Sequence, residues 1–385
     1  MTELDGLLDF AARSRLPEGG FGYLGSDGRV LPDRPVETWI VARMTHVFGL
    51  AHLLGRPGAE DLVRHGVAAL TEGPLHDAEH GGWRSSTADD AKAAYPHAFV
   101  MLAGATAATA GVSGGHDLLQ AAIEVWQHRF WDDEAGMAVE QWDRRWSRLD
   151  DYRGLNANMH GVEASLAAAD ALPVADQAGK RQLRDQALRT TERAIGWARE
   201  FHWRMPEHFT ADWTPLPEYN RDRPADPFRP YGVTVGHLFE WARLATHVRS
   251  VTSPPAELRD AAQILYTVAA GVGDGYAGIP YTADWEGRVV VGARMHWVLC
   301  EAIAAAYVLA AATGDESYQA DAEDWRDLGE RMFADPATGS WHHELTTTGE
   351  VATGTWSGQP DAYHLTQMLL LDSRPVRGSV AAALR

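Results

Sequence analysis

Cysteine is almost absent: Cys300 stands alone among 385 residues, so neither a disulfide framework nor a cysteine-built zinc site can form within the chain. Lysine is nearly as scarce, limited to Lys92 and Lys180, and no glycine-rich loop ends in lysine. The usual supports for nucleotide phosphates and for a pyridoxal Schiff base are therefore missing. Basic residues number 34 against 53 acidic ones, for a formal net charge of −19. That field repels phosphate backbones and anionic membrane surfaces, which argues against nucleic acid and membrane partners. The longest apolar stretch, Ala302 to Thr313, falls short of the roughly 20 residues that cross a bilayer. Acidic residues in Met1–Gly20 occupy the place where a signal peptide needs a basic start. The expectation is a soluble, cytoplasmic protein.

What is present is helix and tryptophan. Hydrophobic residues make up 45% of the chain, enough for a large core, and 15 tryptophans exceed what packing alone recruits, so aromatic faces at a cleft are expected. A pattern Asp-x-x-x-Gly occurs at Asp77/Gly81, Asp132/Gly136, Asp274/Gly278 and Asp335/Gly339. Each precedes by 16 to 25 residues a histidine that opens an apolar run: His97, His160, His296 and His364. Arg43 with His46, and His237, begin two further runs without that prelude. The six stations lie between 54 residues apart (Arg43 to His97) and 77 apart (His160 to His237), and a recurring spacing of this size signals repeats of helix pairs.

The runs at these stations are apolar on most sides, as in MHWVLCEAIAAAYVLAAAT, and read as buried helices. Segments between them, such as QLRDQALRTTERAIGWAREF, carry charge on one face and read as outer helices. Four strand-turn-strand signals, YLGSDGRVL, VEQWDRRWSRL, TADWEGRVVV and ELTTTGEVATGTW, lie ahead of inner helices. Six inner and six outer helices closing on themselves make an all-α (α/α)6 barrel over residues 1–385 as one catalytic domain. Short β-hairpins and the station histidines then gather at one end, which is where a site is expected.

His160 and Glu163, and again His237 and Glu240, are three apart, so each carboxylate shares a helix face with its histidine. A glutamate so placed can fix an imidazole tautomer and raise its basicity, as a general base requires. His296 and Glu301 are five apart and stack less well, leaving Trp297 as the stronger contact. The plainer reading of any one histidine is a core residue bonded to a carbonyl; repetition at helix starts favours a site. His97 joins that group, while His46 stays between cleft and core. Metal binding is not expected, because paired-metal bundles use Glu-x-x-His, the reverse of the order here. His343 with its neighbours in WHHEL is unsuited to chelation, since adjacent side chains of a strand diverge. Arg43 and Arg229 could stabilise an oxyanion, Arg229 having loop pinning as its alternative. Asn156 lies a helical turn before His160 and could equally be an N-cap.

The segments R-M-T-H-V at Arg43–Val47, N-x-N-M-H-x-x-E at Asn156–Glu163, G-H-x-x-E at Gly236–Glu240 and Y-H-x-T-Q at Tyr363–Gln367 together resemble the N-acylglucosamine 2-epimerase superfamily. Within it, the chain is most similar to the cofactor-free aldose–ketose isomerase branch that includes mannose and sulfoquinovose isomerases. The resemblance implies an (α/α)6 barrel and interconversion of an aldose with its 2-ketose through a cis-enediolate. D-mannose/D-fructose and D-lyxose/D-xylulose rank first, sulfoquinovose below them, with a cellobiose-type 2-epimerase as the rival. A glycoside hydrolase on the same barrel is the alternative from another class.

Carried onto matching positions, the resemblance makes His364 the group that moves the proton between C2 and C1. His237, oriented by Glu240, assists ring opening, and Arg43 stabilises the enediolate. Asn156, His160, Arg229, His296 and Trp297 become sugar contacts, with Glu163 and Glu301 supporting them. It implies no cofactor, a small-molecule sugar as the partner, and leaves homo-oligomer formation open.

Overall fold

The structure is a computed structural model that describes residues 3–272, 278–355, 358–372 and 377–385; Asp274 of the repeated Asp-Gly pattern lies outside them. Helices alternate between an outer and an inner ring. In chain order they are α1 (Glu3–Ala11), α2 (Thr38–Leu53), α3 (Ala59–Thr71), α4 (Ala94–Thr109), α5 (Gly115–Val125), α6 (Leu155–Ala171) and α7 (Gln177–Glu200). The remainder are α8 (Val235–Val251), α9 (Glu257–Ala270), α10 (His296–Thr313), α11 (Glu316–Met332), α12 (Tyr363–Leu371) and the short α13 (Val380–Ala383).

Even-numbered helices up to α12 form the inner ring, each packed on the next, and α12 closes onto α2. This is an (α/α)6 barrel. Every residue of α2 from Thr38 to Ala51 is buried, because an inner helix meets neighbours on both sides and the shared core on its third. Outer helices keep one wet face: in α7 the buried positions Leu183, Ala187, Thr191, Ala194 and Ala198 recur at helical spacing while the intervening charges face out. The sixth outer place is filled by α1, from the opposite end of the chain to α12, where it spans the α12–α2 junction. α10 has the length and composition of a membrane span, reaching back beyond Ala302 to His296, but it is an inner helix of this ring and 72% of it is buried inside the protein.

Short strand pairs ring one end of the barrel, and they explain how inner helices start without side-chain caps. Each two-residue strand ahead of an inner helix pairs with a strand from the following repeat: Lys92–Ala93 with Gln141–Trp142, Arg153–Gly154 with His208–Phe209, Val233–Thr234 with Thr282–Ala283, Arg294–Met295 with Glu344–Leu345. Single bridges Glu37 to Ser86 and Leu24 to Gln359 complete the circle. The first helical N–H groups, which would otherwise be orphaned, donate to carbonyls of the crossing strands. Thr38 donates to Ser85, Ala94 to Glu140, Leu155 to Glu207, Val235 to Tyr281 and His296 to His343, all within 2.8–3.1 Å.

All four hairpin signals form ladders, with Leu24 bridging Val30, Trp142 bridging Leu149, Thr282–Ala283 paired to Val289–Val291, and Leu345 bridging Val351. The Asp-x-x-x-Gly pattern is a separate loop after the outer helices. In it the glycine, at φ 74°, 67° and 72° for Gly81, Gly136 and Gly339, returns its N–H to the carbonyl of Asp77, Asp132 or Asp335. An L side chain is disfavoured at such φ values, hence the repeated glycine.

Candidate active site

The N-terminal turns of the inner helices converge on a cavity lined on one side by Arg43, His160, His237, His296, Trp297 and His364. Glu240 and Asn156 reach it from α8 and α6, and Trp39, Tyr95 and Phe228 wall the mouth. Trp297 packs near both His237 and His364, its centroid 5.3 Å from that of His237 and 5.5 Å from that of His364. Gly236 makes this possible, since a Cβ there would collide with the indole.

His364 Nδ1 lies 2.8 Å from Glu301 Oε1, and His237 Nδ1 lies 2.8 Å from Glu207 Oε1. A carboxylate only accepts, so in the neutral form of each ring Nδ1 carries the proton and Nε2 presents its lone pair. Burial, with the positive charge of Arg43 beside it, pushes His364 well below the ordinary imidazole value. The ring is therefore an unprotonated base at neutral pH. Glu240 is pushed the other way, well above the ordinary carboxyl value, by burial and then by the adjacent Glu301; one of its oxygens, Oε2, is buried and unpartnered.

Arg43 is held by Asp361 at 3.1 Å and by the Tyr95 hydroxyl at 2.9 Å, over the ring of Phe99 at 4.2 Å and that of Tyr363 at 4.6 Å. Burial alone would weaken its charge, but Tyr95 and Asp361 more than restore it. His160, lowered to about 4 chiefly by burial, ends 3.7 Å from both Glu163 and Glu240 with Nδ1 unpartnered. Glu163 accepts from Tyr363 and, at 2.7 Å, from Gln367. Burial opposes its ionisation, yet His160 and Arg243 outweigh that and hold it far below the usual carboxylate range.

Three expectations need correcting. Glu240 does not orient His237: it is engaged by Arg243 at 3.2 Å, another i,i+3 neighbour whose full charge competes successfully, while Glu207 approaches His237 from the loop before α8. His97 does not reach the cavity. Its Nδ1 bonds the Ala93 carbonyl at 2.6 Å and its Nε2 accepts from the Trp83 backbone N–H at 3.0 Å, which is the satisfied core histidine of the plainer reading. Arg229 faces an adjoining outer chamber with Glu140 and Tyr152, not the inner cavity, and lies 3.9 Å above the Tyr152 ring. Glu163 and Glu301 do not line the cavity; Glu163 lies 3.7 Å from His160 and Glu301 is the acceptor for His364.

Residues that the sequence did not single out include Glu207, Tyr281, Asp361 and Arg243; His343, set aside for chelation, stacks on His296 at 3.9 Å. Glu207, Tyr281 and His343 share one signal, visible only in the fold: theirs are the carbonyls that cap α6, α8 and α10. As to metals, two sets among the described residues bring ligand atoms within 4.8 Å of one another, His160/Glu163/Glu240 and Glu240/Glu301/His364. Arg243 is already bonded to Glu240 and Glu301, supplying the positive charge these carboxylates need.

A family model described as N-acylglucosamine 2-epimerase (GlcNAc 2-epimerase) matches residues 19–368. The chain belongs to this family. Within it, the chain is 47% identical to a D-mannose isomerase of Thermobifida fusca, covering 98% of this chain and 94% of that protein. It is 45% identical to a D-mannose isomerase of Pseudomonas cannabina pv. alisalensis, covering 98% and 92%. A crystal structure of D-mannose isomerase superposes with a TM-score of 0.88 at 24% identity, covering 96% of each chain. The cellobiose 2-epimerase of Spirochaeta thermophila DSM 6192 follows at 0.81 and 20%, covering 96% and 94%. At these identities the structural likenesses bear on the fold; membership rests on the family match and the full-length relatives.

Proposed function

We propose that this chain is a cofactor-independent aldose–ketose isomerase that interconverts D-mannose and D-fructose. The observation that carries the reading is the pair of carboxylate-held imidazoles, His364 with Glu301 and His237 with Glu207, flanking Trp297 in one cavity. The near-full-length similarity to D-mannose isomerases supports the choice of sugar.

A proton on the carbon next to a carbonyl leaves readily only if a base is aimed at it and the resulting enediolate is stabilised. His237 Nε2 takes the O1 hydroxyl proton and hands it to the ring oxygen as the bond from C1 to that oxygen breaks, which opens the pyranose and returns His237 to its starting form. His364 Nε2 then takes the proton from C2 of the open aldose. Negative charge spreads over the enediolate oxygens, where the Arg43 guanidinium meets it beside Glu240, whose own ionisation burial opposes. The inner-helix N-termini converge here, and their positive ends favour the same charge. His237 carries the O2 hydroxyl proton across to O1 while the His364 imidazolium returns its proton to C1, so O2 becomes the ketose carbonyl, O1 a hydroxyl, and the proton count is unchanged. Trp297 offers an apolar face to the C–H side of the sugar.

Charge favours a neutral sugar over a sulfonated or phosphorylated one. Arg43, the one guanidinium lining the inner cavity among the described residues, is committed to Asp361. The loop arginines Arg221 and Arg288 are exposed and paired with Glu218 and with Asp284 and Glu286, and Arg223 is bonded to Asn220 at 2.9 Å. The test is NMR of products from mannose, glucose, sulfoquinovose and cellobiose incubated with the enzyme. Fructose from mannose is expected; glucose as the sole product from mannose would replace the isomerase with a 2-epimerase.

A further inference from the structure

Beneath the reacting rings lies a layer of buried charge that no proton-transfer step uses directly. Its centre is Arg243, in the third turn of α8, with 1% of its side chain exposed. It does not line the catalytic cavity; it borders instead a small space on the far side of the layer, with His46, His247 and the Gly378–Ala381 segment. Its Nε donates to Glu301 Oε2 at 2.9 Å and its Nη2 to Glu240 Oε1 at 3.2 Å. The other oxygen of Glu301 holds His364, and Glu240 Oε1 ends 3.7 Å from His160.

We infer that Arg243 is a positioning residue for the isomerisation, fixing with one guanidinium the carboxylate that orients His364 and the carboxyl that faces the sugar oxygens. The inference rests on the isomerase reading above. Its physical basis is the planar fork of arginine, which presents donors at fixed angles to two acceptors at once, whereas an ammonium on a flexible stem acts as a point charge. Charge counting adds a second reason. Glu163, Glu240 and Glu301 crowd around this single cation, so three ionised carboxylates would be undercompensated in a dry layer. The shorter bond goes to Glu301, the acceptor for His364 Nδ1, and the longer one to Glu240, whose ionisation is opposed by burial and by Glu301.

Through Glu301, which both residues engage, the charge of Arg243 also bears on His364. His364 is faced by Arg43, Asp361, His160 and His296 at the cavity, by the Tyr363 ring and by Glu301 below. Arg243 is faced by Glu240, Glu301, Glu163 and Tyr363, with His247 on the far side. Among these groups, removing the guanidinium unmasks Glu301 and takes away one cation, so His364 binds its proton more readily.

The experiment compares wild type, Arg243→Lys and Arg243→Gln across pH with mannose, alongside NMR titration of the His364 imidazole. For Arg243→Gln we expect kcat to fall at least about tenfold with KM within about twofold, as misaligned groups lose rate rather than binding. The acid limb of kcat/KM and the His364 titration should both move up by about one pH unit. Arg243→Lys, keeping the charge but not the fork, should hold the acid limb near wild type with an intermediate kcat. Wild-type kcat and acid limb in Arg243→Gln would overturn the inference, as would a rise in KM alone. If Arg243→Gln does not fold, a wild-type kcat in Arg243→Lys overturns it and a reduced one supports it. Wild type yielding no fructose would instead sink the isomerase reading, and the imidazole titration would still report on Arg243.

Discussion

Glu301 on α10 accepts from His364 on α12 at 2.8 Å, joining the first and second turns of two neighbouring inner helices. That bond decides which nitrogen of His364 is basic. Replacing His364 with alanine removes the base, and kcat should fall by about 10²- to 10⁴-fold. Glu301→Gln keeps the shape but loses the acceptor-only character, and a fall of about 10²-fold is expected from misorientation. Both are read as fructose formed from mannose, with circular dichroism to verify the fold.

Glu207 holds His237 from a loop, so Glu207→Gln should slow ring opening selectively. The deficit should be about tenfold or more on cyclic mannose and smaller in exchange of the C1 proton of fructose, a sugar with more open-chain form. Equal deficits on both would place Glu207 outside ring opening.

The pH dependence of activity follows from His364. A base held well below 6.5 remains unprotonated as the medium is acidified through 6.5, so kcat/KM should stay level there and fall only at lower pH. A limb centred at 6.5 or above would show that substrate-free His364 is not the group that must be neutral.

Stability should follow a related course. Burial lowers His46 to about 4, His97 to about 3 and His247 to about 3. The unfolded chain takes up protons at these sites as pH falls through 6.5, while the folded state resists until 4 or below. Stability is thus fully present above 6.5 and is lost on descending toward 4. Melting temperature measured against pH should decline over that window. His247→Phe, which cannot be protonated, should make the decline shallower.

His97→Gln separates the core histidine from the site. Losing the contacts to Ala93 and Trp83 should cost about 1–3 kcal/mol of stability, seen in a urea titration, with KM for mannose within about twofold. Incubation with a strong chelator should likewise leave activity intact, because Arg243 already balances the carboxylates where a cation would sit.

The barrel was legible because its signal is periodic and redundant: inner helices with no polar face, outer helices with one, and turn glycines at matching places. The histidines and arginine at helix starts were legible for the same reason. The misreadings arise where local spacing had a competitor from elsewhere. His237 and Glu240 share a helix face, but the same face carries Arg243 one turn on, and Glu207 arrives from a loop that no helical pattern describes. His97 occupies a station like that of His160, and only the backbone of Trp83, brought in by a preceding hairpin, separates core from cleft. Glu207, Tyr281 and His343 each stand immediately before a two-residue strand too short to leave a period of its own.

The circle of strand pairings has a consequence for how the enzyme comes into being. Its last link joins Leu24 to Gln359, just ahead of the helix that bears His364. A nascent polypeptide emerging from the ribosome can stack its early helix pairs one after another, yet the proton-moving imidazole is seated only when that late segment docks against the early one. Turnover should therefore appear abruptly at the end of maturation, with no partly competent intermediate before it.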